Sequence, residues 1–227
     1  VLAAVLASGM VLTACGGSGN AAKETTGNNT STTTTATGGL DLAVQVGPDP
    51  ETVDPALNTA IDASNIILHA FETLLTFDEN NDIVPGQAES FDVSDDGLTY
   101  TFHLRDGLKW SDGSDFTAED FVYSWKRLAD PMTAAPYAAD MLSMVKGYEE
   151  AAAGDIDALA VSAPDAKTLV VELASPCVYF DKIITHASMA PVKKDVVDAN
   201  GDQWALAPET YVSNGPLKMI EWVPGSH

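Results

Sequence analysis

The sequence predicts a mixed α/β fold, and a few local patterns carry that reading. Leu98, Tyr100, Phe102 and Leu104 alternate with Thr99, Thr101, His103 and Arg105, the period of a half-buried strand. Apolar residues fall at helical spacing in two other stretches: Ile66, Ile67, Ala70, Phe71, Leu74 and Leu75, then Phe121, Val122, Trp125 and Leu128. Strands and helices alternate without a strict βαβ rhythm, so a mixed α/β sheet is expected.

Taken in order, Leu40, Leu42, Val44 and Val46 read as a strand that Gly47-Pro48 ends. The first helix follows, with Asp62 or Ser64 placed to cap it, and Asn80-Asn81 makes a turn. Asp95-Asp96-Gly97 is turn chemistry ahead of the alternating strand. Thr117-Ala118-Glu119-Asp120 resembles a capping box with Asp in place of Glu; it opens the second helix, which Asp130-Pro131 ends. A further helix is expected over residues 138–153. Residues 159–173 read as strand, a Pro164-Asp165 turn and strand again, and residues 217–220 are strand-like. No internal repeat is present.

Charge and composition narrow the function. In 227 residues, room for one large domain or two small ones, 33 acidic side chains face 11 basic ones, a net charge of −22. A phosphate-backbone binder needs a basic face, so nucleic acid is excluded as a partner, and anionic lipid headgroups would repel this surface too. At 45% hydrophobic and 19% charged, the chain has the means to bury a sizeable core. Its two cysteines, Cys15 and Cys177, rule out a disulfide scaffold and a four-cysteine zinc site.

Residues 1–14 read as the apolar h-region of a secretory signal whose charged start is missing; they are too short to span a bilayer comfortably. The run closes on Leu12-Thr13-Ala14-Cys15, which resembles the bacterial lipobox, where the Cys is acylated and becomes the mature N-terminus. A plain signal peptide with an incidental Cys, or a buried core helix, is the alternative. From Cys15 to Gly39 the chain holds almost no large apolar residue and reads as a flexible Thr/Gly-rich tether. The chain stops just after the strand-like 217–220 stretch, so a fragment open at both ends is expected.

No motif of nucleophilic, zinc-protease, dinucleotide or P-loop chemistry is present. The histidines His69, His103, His186 and His227 have no ligand spacing. Asp78, Asn80, Asp82 and Glu89 match positions 1, 3, 5 and 12 of an EF-hand loop, but Ile83 stands where that loop turns on Gly; a polar hairpin turn is the better account. Accidental carboxylate pairs are expected among so many acids. Neither a metal site, a cofactor nor a catalytic constellation is expected.

Several motifs, in order and spacing, point to a family. They are Asp54-Pro55-Ala56-Leu57, Phe71-Glu72-Thr73-Leu74-Leu75, Pro85-Gly86-Gln87-Ala88-Glu89-Ser90, the run from Ser94 to Arg105, Trp110-Ser111-Asp112-Gly113, the run from Thr117 to Arg127, and Ser213-Asn214-Gly215-Pro216. Together, over residues 40–222, they closely resemble the N-terminal part of family 5 extracytoplasmic solute-binding proteins, in particular oligopeptide-binding proteins of ABC transporters.

The resemblance implies a non-enzymatic, two-lobed clamp of the type II periplasmic-binding-protein kind, with only part of the first lobe in this chain. Residues 40–71 and 194–227 would be parts of the core subdomain, residues 72–193 the inserted subdomain, and the second lobe would be missing. Such proteins bind peptide main chain by strand-like hydrogen bonds and read side chains weakly in hydrated pockets. By alignment Ile61 matches a residue whose backbone pairs with the ligand, Tyr137 a tyrosine lining a side-chain pocket, and His186 a histidine near that groove. For Tyr137 the alternative is a core aromatic, and for His186 a satisfied surface histidine. Cys177 stands in Ser175-Pro176-Cys177-Val178-Tyr179-Phe180 where the family usually has another residue, and is read as a buried free thiol.

The implied partners are an oligopeptide ligand, the membrane permease subunits of an ABC importer, and the membrane itself through a lipid on Cys15 only. The protein is expected to be a monomer on the outer face of the bacterial cell membrane, on the periplasmic side in a Gram-negative cell. Dipeptides, nickel or haem chelates and oligosaccharides remain alternative ligands within the family. A secreted hydrolase is a distant alternative.

Overall fold

The computed structural model describes residues 47–223. The expected strand at residues 40–46, the signal segment, Cys15 and the tether lie outside the described residues. Twelve α-helices and strands are described, besides short 3-10 turns: α1 (Ile61–Ala70), β1 (Leu75–Phe77), β2 (Ile83–Pro85), β3 (Ala88–Val93), β4 (Thr99–Leu104), α2 (Ala118–Ala129), α3 (Ala138–Leu142), α4 (Tyr148–Ala152), β5 (Val161–Asp165), β6 (Thr168–Glu172), α5 (Phe180–Ile183) and α6 (Lys194–Asn200). The four-stranded sheet runs β3-β4-β6-β5 and β1 pairs with β2 in a separate hairpin; every pairing is antiparallel.

The locally encoded elements form as expected. In β4, Tyr100, Phe102 and Leu104 are buried and Thr99, Thr101 and His103 are partly exposed, so the period-2 pattern becomes a sheet face. Tyr100 meets Phe180 edge-on at 5.0 Å, which carries that face into the core. Helix α2 opens on the capping box, where the Asp120 carboxylate accepts the Thr117 N–H at 2.8 Å. The loop with EF-hand-like spacing is a hairpin turn: Asp78 Oδ1 accepts from the Asn80 and Asp82 N–H groups at 2.8 and 2.9 Å. Asn81 takes the left-handed conformation there (φ 64°). Cys177 is a buried free thiol.

Four expectations are corrected, three of them by contacts made elsewhere in the chain or within the turn. Helix α1 starts at Ile61 and ends at Ala70, so Asp62 and Ser64 lie inside it and Leu74 and Leu75 lie beyond it. It stops because Gly215 N–H and Leu217 N–H take the carbonyls of Ala70 and His69 at 2.8 and 3.1 Å, which another helical turn would need. Asn214 then clamps Glu72, accepting its N–H (3.1 Å) and donating to its carbonyl (3.0 Å).

The expected helix over 138–153 is instead two short ones, α3 and α4. Between them Lys146 N–H donates to the Glu172 carbonyl (2.9 Å), and its own carbonyl accepts from Ala160 (2.8 Å). The chain therefore joins the sheet end, and Gly147 turns it back at φ 81°. The β5–β6 turn falls at Ala166-Lys167, not Pro164-Asp165: Asp165 pairs with Thr168 and its Oδ1 accepts the Lys167 N–H at 2.8 Å. Residues 217–220 form no strand among the described residues.

The centre of the packing is aromatic. Phe71, Trp204 and Tyr211 meet at 5.2–6.3 Å between ring centres. Beside them Asp54, 3% exposed, takes both terminal nitrogens of Arg127 at 3.0 and 2.6 Å and the Trp204 indole N–H at 3.0 Å. This ties the 54–58 turn, α2 and the 204–211 segment together in a fork-shaped, charge-assisted contact.

Candidate functional site

Tyr137 sits at the start of α3 and is half-buried. The chain reaches it through a tight bend in which Ala134 takes a positive φ of 53°. Its ring meets the His186 ring in a T-shaped arrangement, 5.5 Å between centres and 69° between planes. His186 is itself half-buried and opens a 3-10 turn, Ala187–Met189. Its Nδ1 accepts the Ser188 N–H at 3.1 Å, so the neutral ring carries its proton on Nε2. Burial pulls the His186 pKa below its ordinary value, and the Asp140 carboxylate on α3 pushes the other way.

Helix α2 holds this wall from behind. Trp125 Nε1 donates to the Met189 carbonyl (3.1 Å), and Ser124 Oγ accepts the Val192 N–H (2.8 Å). Helix α1 packs against the same 187–189 turn. Ile61, its first residue, is 80% exposed, and a first helical residue keeps its N–H outside the intrahelical ladder. The structure thus brings Tyr137 and His186 into contact and docks the helix that Ile61 opens against the turn that His186 caps. The arrangement offers an aromatic face, an imidazole N–H and a backbone donor, and no nucleophile–base pair. Among the described residues no His, Cys, Asp and Glu group is gathered to hold a metal ion.

A concavity of about 540 Å³ lies elsewhere among the described residues. It is lined by Trp110, Asp120, Tyr123, Lys193 and others, and includes none of Ile61, Tyr137 and His186. Its lysines are already engaged: Lys193 with Asp112, Lys194 with Asp198, Lys126 with Asp157. With its lysines paired, the cleft offers no free cation to a peptide carboxylate, and the Tyr137–His186 wall is the better candidate. Sequence reasoning did not find the Ser188 and Asn214 contacts. The Ser213-Asn214-Gly215-Pro216 motif was the signal for the second, and none existed for the first.

The described part is thus a mixed α/β unit with a half-buried Tyr137–His186 wall on one side. Comparison with known proteins gives it a family. The profile described as bacterial extracellular solute-binding proteins, family 5 Middle, matches residues 82–227. The chain is 41% identical over 180 residues to the periplasmic oligopeptide-binding protein OppA of Salmonella typhimurium, covering 78% of this chain and 33% of that protein. It is 39% identical over 178 residues to YgiS of Escherichia coli, described as a probable deoxycholate-binding periplasmic protein, covering 77% of this chain and 33% of YgiS.

The crystal structure of Haemophilus influenzae OppA in complex with RPPGFSPFR matches with a TM-score of 0.75 at 38% identity, over 79% of this chain and 35% of that one. The chain belongs to the family 5 extracellular solute-binding proteins of bacteria. Its mixed α/β architecture is that of the type II periplasmic binding proteins, over the part of them that it covers. It spans about a third of the length of the curated relatives it matches.

Proposed function

We propose that the protein captures oligopeptides outside the cell and delivers them to the membrane permease subunits of an ABC importer, without enzymatic activity. The observation that carries this reading is the Tyr137–His186 ring pair, on the turn against which α1 packs. In this reading the Ile61 backbone pairs with the peptide main chain, Tyr137 lines a side-chain pocket, and His186 presents its Nε2–H to the same groove. Main-chain recognition tolerates many sequences, which suits a nutrient receptor. The relatives named as oligopeptide-binding support it. Residues 40–71 and 194–227 belong to one core subdomain and 72–193 to an inserted one; the Trp204–Asp54, Tyr211–Val53 and Gly215–Ala70 bonds support that pairing.

Anchoring is by lipid on Cys15, with residues 16–39 as the tether; two acyl chains suffice for stable retention where one does not. Exchange of Cys15 for Ser in the native precursor releases the protein from the membrane fraction, and unchanged retention would refute the anchor. A second reading, a bile-acid-like ligand, is favoured by the likeness to YgiS. Mass spectrometry of ligand co-purified with the native protein separates the two. A mixture of short peptides is expected, and a single steroid would overturn the proposal. Peptides recovered intact after incubation with the protein are the expected sign that it is no hydrolase.

A further inference from the structure

A chain of polar contacts runs from the buried Asp54 to Ala60, the residue before the exposed Ile61. Besides Arg127 and Trp204, the Asp54 carboxylate accepts the Ala56 N–H at 3.0 Å. The Asp54 backbone carbonyl accepts from Leu57 and Asn58 at 3.1 and 3.0 Å, which makes the 54–58 turn a braced unit. Asn58, 3% exposed, ends that turn and uses its amide in two directions. Its Oδ1 accepts the Ala60 N–H at 2.8 Å, and its Nδ2 donates to Ser64 Oγ at 2.8 Å. Ser64 Oγ donates in turn to the Ala60 carbonyl at 3.1 Å, the same oxygen that accepts the first helical N–H, from Ser64, at 3.0 Å.

This wiring compensates a defect. The N-cap of α1 is Ala60, a residue type with no side-chain acceptor and among the poorest caps. A helix so capped frays at its first turn. Ile61, 80% exposed, has little side-chain packing to hold it, so its backbone position depends on what fixes Ala60. Asn58 does so from two residues upstream, gripping Ala60 directly and again through Ser64.

We infer that Asn58, braced by Asp54 and Arg127, is a positioning residue that pre-sets the Ile61 backbone for the ligand. The inference rests on the peptide-binding reading above. Binding to a pre-set backbone avoids ordering it at the moment of capture, and losing that advantage for one residue weakens affinity about tenfold.

The test uses three variants of the native full-length protein. Asn58→Leu removes both grips at similar volume. Asn58→Asp keeps the direct grip, since a carboxylate accepts from the Ala60 N–H, but it draws the single Ser64 hydroxyl proton away from the Ala60 carbonyl and so loses the second. Ser64→Ala removes only the second grip and leaves a good helix former, so it folds even where Asn58→Leu does not. Calorimetry with a tripeptide library, at a temperature where near-ultraviolet circular dichroism is native, should show Asn58→Leu about tenfold weaker. Ser64→Ala should be about threefold weaker and Asn58→Asp within about threefold of the parent. Amides 61–64 should exchange faster in Asn58→Leu while those of β4 do not. Folded Asn58→Leu and Ser64→Ala that bind like the parent would overturn this inference alone, as would Asn58→Asp binding as weakly as Asn58→Leu. A parent that binds no peptide would overturn the peptide-binding reading and this inference with it.

Discussion

Arg127→Met breaks the contact on which the packing of α2 against the 54–58 turn depends. The side chains of Arg127 and Asp54 are 14% and 4% exposed, so water screens the pair poorly. The substitution keeps the volume of the Arg stem and leaves the Asp54 carboxylate buried with only the Trp204 indole and the Ala56 N–H as donors. Removing one partner of a buried ion pair costs about 3–5 kcal/mol, because the remaining charge stays desolvated. For a unit of this size that lowers the melting temperature by about 6–20 °C. Scanning calorimetry with a urea titration at 25 °C measures both quantities. Arg127→Met combined with Asp54→Leu should recover part of the loss by removing both charges, though not the bonds to Trp204 and Ala56. A loss under about 1 kcal/mol for Arg127→Met would be surface-pair behaviour and would refute the reasoning.

Tyr137→Ala should weaken peptide affinity by about 1–2 kcal/mol, or about tenfold, by calorimetry, and unchanged affinity for every peptide tested would make Tyr137 a structural aromatic. Gly147→Ala should destabilise by about 2–4 kcal/mol in urea unfolding, since Gly147 has φ 81° and a methyl group there overlaps the Ala158 carbonyl. Partial burial pushes the Asp112 carboxyl up, but Lys193 and the bonds from Ser114 N–H and Oγ (2.9 and 2.7 Å) outweigh it and hold the pKa down at about 2. With the folded value below the unfolded one, the stabilisation is complete above about pH 4 and is lost as pH falls toward 2. Asp112→Asn should flatten that part of the stability–pH curve.

What the sequence made legible is what neighbouring residues decide. The alternation of residues 98–105, the Thr117–Asp120 box and the Asp78 turn all formed where their patterns placed them. The corrected elements are those where distant backbone competes. No local signal says that residues 214–217 will take the carbonyls at the end of α1 or that Lys146 will pair with β6. The site divides in the same way. Ile61, Tyr137 and His186 came from resemblance rather than periodicity, and the contact between Tyr137 and His186 exists only once α3 and the 187–189 turn are packed on α2. The buried Asp54–Arg127 fork was invisible for the same reason: in a chain with 33 acidic residues, nothing marks one aspartate as buried.

The central claim, that the Ile61, Tyr137 and His186 face takes a peptide, is tested most directly by hydrogen exchange of the native full-length protein with and without saturating tripeptide. The account predicts new protection confined, within residues 47–223, to amides 61–65, 135–140 and 185–189. Protection around the Trp110, Tyr123 and Lys193 cleft instead, with those three segments unchanged, would contradict it.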